Sequence, residues 1–392
     1  MIIDNPGTYT LKYTATDSCG KTTTVDRELV VKELPYGVYW DGSESSAWTR
    51  IGKSASFEAP VPQHSDGNGG WVGGSSPFDN LMPWSGIQIV EDAEAGTLVS
   101  IPKFYYKWTH GLGENGNGLR LEISPSPQDG FFTSPAHADR GDGNGERDVV
   151  YVGRYHCASG YKSQTGVNPL ARKTRDTFRQ GIHGLGTDIW QYDFAMYWTI
   201  RMLYLVEFAD WNSQAKIGGG CSDSGSVQAM GLTDSMTYHT GTTATAIGAT
   251  NYGQVQYRHI EGLWSNVFDF CDGIYFSDTS VYAIKNPANF SDTTGGVNVG
   301  TRTTANGVVT AWTNPTASGY EYAIYPNNCV SDSTYSTYSA DSCNYNSSGV
   351  VLYVGGSFVQ GQDDGLFRLY GDDGASHSLS FIGSRLQKLP NA

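Results

Sequence analysis

The sequence predicts an α+β protein in which short strands outnumber helices. Short apolar runs broken by Gly, Asp and Asn recur along the 392 residues, a pattern typical of strands joined by tight turns. Two longer stretches, at 170–180 and 187–209, predict helices, and in the second the apolar residues recur three and four positions apart. Glycine (49 residues) and aromatic residues (13%) are frequent, which favours a loop-rich fold packed largely by Tyr and Trp. We therefore expect helices packed on antiparallel sheet.

The first element is a β-hairpin. Residues 8–32 alternate in polarity around a turn at 18–20. The wording PGTYTLKYTATDSCGKTTTVDRELVV resembles the last two strands of bacterial immunoglobulin-like repeats. A complete repeat needs about seven strands, so the resemblance implies only the C-terminal part of such a domain, in residues 1–34. Residues 35–392 form the second predicted domain.

Three short strands are expected next, at 85–90, 97–105 and 119–123. The run IPKFYYKW (101–108) is apolar with little alternation, which predicts a buried central strand. The stretch 142–146 has the first positions of a calcium loop but lacks the later ligands, so we interpret it as a solvated turn. No metal or cofactor is predicted.

The two helices have start and stop signals. The pair Asn168–Pro169 supplies a cap and a first-turn proline, which predicts a helix over 170–180 that ends at Gly181. The second helix, 187–209, has one wide apolar face and ends before three glycines at 218–220.

Two features of the remaining chain leave alternatives open. Residues 316–348 mix six tyrosines with Ser, Asn and Asp, which is either a surface loop or the composition of a binding loop. Six cysteines lack metal-ligand spacing and are interpreted as scattered buried thiols, with a Cys329–Cys343 disulfide left open for an oxidising compartment.

The C-terminal stretch 349–389 alternates between two kinds of position. One kind is structural and consists of Gly355, Gly356, Gly365, Leu366, Phe367, Leu369, Gly374, Ala375, Ile382, Gly383, Arg385 and Leu386. The other kind is chemically miscellaneous. Unrelated side chains presented from turns on a rigid frame are how a binding surface is built, so we interpret this stretch as one.

Charge and hydropathy exclude several partners. The formal charge is -14, and Lys and Arg are nowhere clustered, which argues against nucleic-acid and anionic-membrane binding. The most apolar stretch, 194–208, is interrupted by Arg201 and is too short to span a bilayer, so no membrane insertion is expected. The N-terminus has no signal-peptide pattern.

Several motifs together resemble one family. LWSNVFDF (263–270) is similar to the GNVWEW signature of the formylglycine-generating-enzyme type of C-type lectin fold. GLFRLYGDDGASHSLSFIGSRL (365–386) resembles the variable region of diversity-generating retroelement target proteins, as in phage tropism determinants. The segments 168–180 and 198–220, and IPKFYYKW, resemble matching parts of phage-tail members. The resemblance covers about residues 38–389 and implies a C-type lectin-like domain.

In that family, diversified side chains stand between scaffold residues in the last strands and turns and form a solvent-facing surface. The resemblance thus implies a non-enzymatic protein that binds a bacterial cell-surface protein or glycan. The setting implied is the virion, at a phage tail; a surface-displayed bacterial adhesin is the alternative. Relatives include trimers, so a homotrimer is compatible with the resemblance. Carried over by position, the ligand-binding residues are Ser357, Phe358, Val359, Asp363, Asp364, Arg368, Tyr370, Asp372, Asp373, His377, Leu379 and Phe381.

Two enzymatic interpretations are disfavoured. Oxidases of this fold use a reactive cysteine pair near the C-terminal part, whereas the last forty residues here contain no cysteine. A glycan-cleaving protein would need two carboxyl groups at a set separation with unequal pKa values. The pairs Asp363–Asp364 and Asp372–Asp373 are candidates, but adjacent Asp residues in turns are more often turn formers.

Overall fold

Within residues 7–31, 33–249, 253–332 and 334–391, which the computed structural model describes, the chain forms six β-sheets and three α-helices. Strand is the dominant regular structure, so the predicted loop-rich α+β class is confirmed at this level. None of the helices in this described part of the chain is long and apolar enough to cross a membrane.

The N-terminal hairpin is present as predicted. Gly7–Thr16 and Thr22–Val31 pair antiparallel along all ten residues and join no other strand of the described chain. Tyr13 and Val25 are cross-strand partners and are 53% and 61% exposed. The hairpin is therefore held by its own hydrogen bonds, with apolar side chains facing solvent.

Two antiparallel five-stranded sheets use the first half of the chain. The first has the strand order Phe132–Thr133, Tyr105–Leu112, Gly118–Ser124, Tyr36–Trp40 and Thr49–Gly52. The second has the order Ile189–Gln191, Leu386–Lys388, Val149–Gly153, Gly96–Pro102 and Gln88–Asp92. The last strand of the chain thus lies inside a sheet formed mainly by the first half, which ties the C-terminal stretch to the core.

Three further sheets complete the fold. A mixed five-stranded sheet has the order Ile260–Glu261, Val255–Tyr257, Gly241–Thr242, Gln63–Ser65 and Trp71–Val72. A mixed seven-stranded sheet has the order Pro326–Val330, Gly307–Trp312, Ser342–Tyr345, Leu369–Gly371, Leu352–Val354, Phe268–Cys271 and Ile382–Ser384. A three-stranded sheet consists of Ile274–Ser277, Ser280–Ala283 and Val297–Thr301. Single 3₁₀ turns occur at Trp84–Gly86, Pro287–Asn289 and Gly361–Asp363.

The predicted continuous strand over IPKFYYKW is wrong. The chain turns at Lys103 and Phe104, so Gly96–Pro102 and Tyr105–Leu112 belong to different sheets. Phe104 is fully buried at this corner, and the Lys103 amide donates to the Asp148 carbonyl at 2.8 Å. An apolar run without alternation therefore marks a buried corner here rather than one buried strand.

The first helix begins later than predicted. Helix α1 spans Arg175–His183, and Thr174 caps it by accepting a hydrogen bond from the Thr177 amide at 3.2 Å. The Asn168–Pro169 signal was misleading because the Leu170 amide donates to the Cys157 carbonyl, which holds this segment extended. A capping side chain and a proline identify a helix start only when no neighbouring chain takes the same amides.

The second helix is shorter and more buried than predicted. Helix α2 spans Phe194–Phe208, and the Asp193 carboxylate accepts from the Met196 amide at 2.8 Å. The residues before it form the strand Ile189–Gln191 rather than its first turns. All fifteen residues of α2 are buried, so the predicted single apolar face is wrong and the helix lies inside the core. A short helix α3, Ser213–Lys216, follows.

The tyrosine-rich segment and the cysteines are mostly structural. Tyr322 and Tyr325 are 5% and 1% exposed and pack in the core, so 316–348 is not simply a surface loop.

All six cysteines are free thiols; five are buried, whereas Cys19 lies exposed in the hairpin turn. In the stretch 142–146, the Asp142 carboxylate accepts a hydrogen bond from the Arg147 guanidinium, so that acid serves an ion pair.

Candidate binding surface

The C-terminal stretch alternates between strands and two loops. Its strands are Leu352–Val354, Leu369–Gly371, Ile382–Ser384 and Leu386–Lys388. The first loop, 355–368, connects two strands that pair antiparallel, with Tyr353 opposite Tyr370. The second loop, 372–381, leads from this pair to the edge of the same seven-stranded sheet. Both loops are therefore held at each end by a sheet.

Arg385 fixes the frame behind the loops. Its guanidinium is buried and donates to four carbonyl oxygens at 2.8 to 3.0 Å, those of Gly153, Arg154, Glu261 and Gly262. Its Nε also donates to the Asp269 carboxylate at 3.1 Å, which accepts from His156 as well. Burial favours a raised Asp269 pKa, but His156 and Arg385 outweigh it and lower that pKa. The predicted structural role of Arg385 is confirmed.

The twelve residues implied to bind ligand do not share one environment. Val359 is 51% exposed. Eight others are half-buried, and these are Phe358, Asp363, Tyr370, Asp372, Asp373, His377, Leu379 and Phe381. We call these nine residues the C-terminal surface. The remaining three are buried.

Ser357, Asp364 and Arg368 are 0%, 0% and 2% exposed, so the expectation that they face solvent is wrong. The Asp364 carboxylate folds under the first loop and accepts from the Ser357 amide at 3.1 Å. Gly356 leaves the space for it, because a Cβ there would lie 1.7 Å from Asp364 Oδ1. The Arg368 guanidinium donates to the Ser342 hydroxyl inside the sheet. These three side chains therefore face the interior of the protein and are not accessible to a ligand.

An aromatic layer underlies the second loop. Tyr353 and Tyr370 stack with ring centroids 4.7 Å apart, and Phe268 lies 5.7 Å from Tyr370. Phe381 lies 6.4 Å from Phe268, and both Leu379 and Phe381 pack against this buried cluster. The apolar members of the C-terminal surface therefore show one side to solvent and use the other for packing.

Acidic groups surround the same loop. The Asp373 carboxylate accepts from the Tyr353 hydroxyl and lies 3.1 Å from His377 Nδ1. Burial, reinforced by the nearby Asp373 charge, raises the pKa of Asp372. Burial and then the Asp372 charge raise the pKa of Tyr370 to about 12. This end of the surface offers carboxylate acceptors together with one imidazole.

The first loop is held by main-chain hydrogen bonds. The Phe358 amide donates to the Asn266 carbonyl at 3.0 Å, and the Phe358 carbonyl accepts from the Gly225 amide at 3.1 Å. Gln214 Nε2 donates to the Asp364 carbonyl at 2.6 Å. The position of Val359 is thus set by its neighbours' backbone and not by its own side chain.

Sequence reasoning missed one neighbour of the surface. Tyr335 hydrogen-bonds the Asp363 side chain, which, together with burial, raises the pKa of Tyr335 to about 12. Its backbone has φ +48°, in the left-handed region. The tyrosine-rich composition of 316–348 was the available signal, but it did not distinguish half-buried Tyr335 from the core residues Tyr322 and Tyr325.

Asp364, Cys329 and Cys343, which the enzymatic interpretations would use, are buried. Asp364 is fully buried, so it and Asp363 do not form an exposed carboxyl pair. Cys329 and Cys343 are buried on the two strands flanking Gly307–Trp312, and their thiols hydrogen-bond each other. No group of three or more His, Cys, Asp or Glu side chains with metal-binding geometry occurs among the described residues.

Comparison of the chain with protein-family models gives no match, and comparison with curated proteins gives none either. The interpretation of the C-terminal surface therefore depends on its geometry and on the resemblance of its motifs.

Proposed function

We propose that the protein is a non-enzymatic binding protein of the phage-tail variable type, with a C-type lectin-like domain whose C-terminal surface contacts the host. The target is a bacterial cell-surface protein or glycan. The observation that carries the proposal is that nine chemically unrelated, partly exposed side chains stand on two loops and the strand between them, whose frame residues Gly355, Gly356, Gly365, Leu366 and Phe367 are buried. Rigid loops that present aromatic, acidic and aliphatic groups side by side are suited to recognition.

The energetics of such a surface support binding more than a purely structural role. Phe358, Val359 and Phe381 offer apolar contact area, and aromatic anchors usually carry most of the binding energy of an interface. Asp373 adds a charge that selects among partners, and the His377 imidazole lies 3.1 Å from it. In a homotrimer, three such surfaces would act together and gain avidity without any new contact.

The first experiment is sequencing of the DNA beside the gene and of the same gene in sibling genomes. We expect a near-copy of codons 349–389 that differs mainly at adenines and lies near a reverse transcriptase. Variation among siblings should concentrate at the nine surface residues and spare Ser357, Asp364 and Arg368. A uniform C-terminus with no repeat would contradict diversification and leave a lectin-like adhesin of fixed specificity. Neighbouring tail genes or a surface anchor would distinguish the phage from the bacterial setting.

A direct binding test uses labelled protein on a panel of bacterial strains in flow cytometry. We expect Val359→Asp to abolish staining of any strain bound by the wild type, because it places a charge at the most exposed apolar point of the surface. The matched control is Val72→Asp, since Val72 is 48% exposed in a strand outside the surface. Both variants should melt like the wild type, and equal staining by both would refute this binding surface.

A further inference from the structure

A cleft lies far along the chain from the C-terminal surface and shares no residue with it. Its walls are the strand Phe132–Thr133 with the loop after it, and the segments 284–289 and 319–322. Its volume is about 380 Å³, and a hollow of about 390 Å³ adjoins it at Arg140 and Lys285. Small-molecule sites begin at about 300 Å³, so the cleft is large enough for a ligand.

One wall of the cleft is aromatic. Phe132 is 43% exposed, and its ring lies 6.0 Å from that of buried Tyr106. On the other side, Tyr320 and Tyr322 lie 6.3 Å apart with nearly parallel rings. An exposed phenylalanine on an edge strand, facing further aromatic rings, is a surface for a flat, partly apolar ligand.

Lys285 and Glu321 line the cleft without an ion pair. Among the described residues, no carboxylate oxygen lies within 4 Å of Lys285 Nζ, and no cation lies that close to the Glu321 carboxylate. Arg140 and Glu146 are paired instead, with Asp193 and Lys103 respectively. Lys285 Nζ lies 4.8 Å from the Tyr320 ring, and burial lowers the pKa of Lys285. Within the described part of the chain, Glu321 Oε1 accepts one hydrogen bond, from the Gly319 amide at 2.8 Å. Both side chains keep hydrogen-bonding capacity for a ligand.

The floor of the cleft holds these groups in place. Buried Arg140 donates to the Lys285 carbonyl at 2.8 Å and to the Asp193 carboxylate at 2.5 Å, while its Nη1 is buried without a partner. At Gly319 (φ +79°) a Cβ would come within 2.2 Å of Lys285 Nζ, so this position lets the ammonium group lie against the main chain. The polar groups are thus positioned before any ligand arrives.

We propose that this cleft binds a neutral saccharide. Asp193 balances Arg140, and Lys103 lies 3.7 Å from the Glu146 carboxylate. Among the lining residues, that leaves the carboxylates of Asp139 and Glu321 against the cation Lys285, so an anionic ligand is disfavoured. A sugar hydroxyl both donates and accepts. One ring can therefore donate to Glu321, accept from Lys285 and lay its apolar C–H face on Phe132.

The test measures saturation-transfer NMR of the full chain with the methyl glycosides of glucose, galactose, mannose and N-acetylglucosamine, followed by titration. Glucuronate and free phenylalanine serve as the anionic and zwitterionic comparisons. We expect at least one neutral glycoside to bind and both comparison compounds to bind more weakly. Binding of none of the four glycosides, or tighter binding of either comparison compound, would overturn the proposal.

Variants locate the binding. Phe132→Ala and Glu321→Gln should each weaken the glycoside by about tenfold or more, as expected for loss of a stacking face or of a charge-assisted hydrogen bond. Phe132→Tyr should retain binding because the ring remains. Val359→Asp is the control: it alters the C-terminal surface and should leave the glycoside titration unchanged. Unchanged binding in Phe132→Ala and Glu321→Gln would refute the site, whereas loss only in Val359→Asp would move saccharide binding to the C-terminal surface.

Discussion

Replacing Arg385 by alanine should destabilise the fold that supports the C-terminal surface. The substitution removes five hydrogen bonds from a fully buried guanidinium and leaves the Asp269 carboxylate with His156 as its main partner. Removing one partner of a buried ion pair costs about 3–5 kcal/mol, because here the Asp269 charge loses one of its two partners and four buried carbonyl oxygens lose a donor. We expect a loss of that size in the free energy of unfolding.

Guanidinium-induced unfolding followed by tryptophan fluorescence measures this loss. All ten tryptophans occur from Trp40 onward, so the signal reports on the main body and not on the N-terminal hairpin. Arg385→Lys should fall between wild type and Arg385→Ala, because an ammonium keeps the charge but has three donors instead of five. Arg172→Ala, at an exposed arginine of the main body, is the matched control and should change stability by less than about 0.5 kcal/mol. An Arg385→Ala protein as stable as this control would refute the assigned role.

Two further substitutions probe the buried side of the surface. Asp364→Asn should melt at a higher temperature than the wild type at pH 8, and this gain should be smaller at pH 4. Burial raises the Asp364 pKa above its unfolded value of about 3.9, so the wild type loses stability as the pH rises through the raised pKa, whereas Asn stays neutral. The same gain in melting temperature at both pH values would contradict the raised pKa. Trp264→Ala should cost about 3–5 kcal/mol in denaturant unfolding, because the indole is 1% exposed and donates to the Gly218 carbonyl at 2.9 Å. An unfolding midpoint like that of the wild type would contradict its place in the frame.

The sequence was most informative where the alternation of polar and apolar residues matches the two-residue repeat of a β-strand. Strict alternation around Gly20 predicted the N-terminal hairpin, and it forms with nearly the predicted ends. Most apolar residues of the C-terminal frame were also assigned correctly, since Leu366, Phe367 and Leu386 are fully buried, whereas Gly374 and Ala375 are half-buried. Local periodicity is sufficient here because each strand meets its neighbours in a regular ladder.

Prediction failed where a contact distant in sequence decides the outcome. The Leu170 amide is taken by Cys157, so the expected helix starts only at Arg175. The sequence of Phe194–Phe208 predicted a helix with one apolar face, whereas in the structure all fifteen residues are buried. The neighbours that bury the other faces are distant in sequence. The cleft beside Lys285 was not foreseen at all, since its walls lie far apart in the chain. None of these contacts leaves a short-range signal in the sequence.

Burial and main-chain hydrogen bonds determine which residues of the first loop can be replaced without changing its path. The first loop is fixed by the main-chain amide and carbonyl of Phe358 and the main-chain carbonyl of Asp364. The Phe358 groups are present whatever side chain position 358 carries, proline excepted. Phe358 and Val359 can therefore vary in chemistry while the loop keeps its path. Ser357, by contrast, lies directly over the Asp364 carboxylate, so a larger residue there would need room that the loop does not have. Main-chain anchoring thus permits variation at an exposed position, and burial prevents it. The position of a residue in the alternating sequence pattern does not decide this.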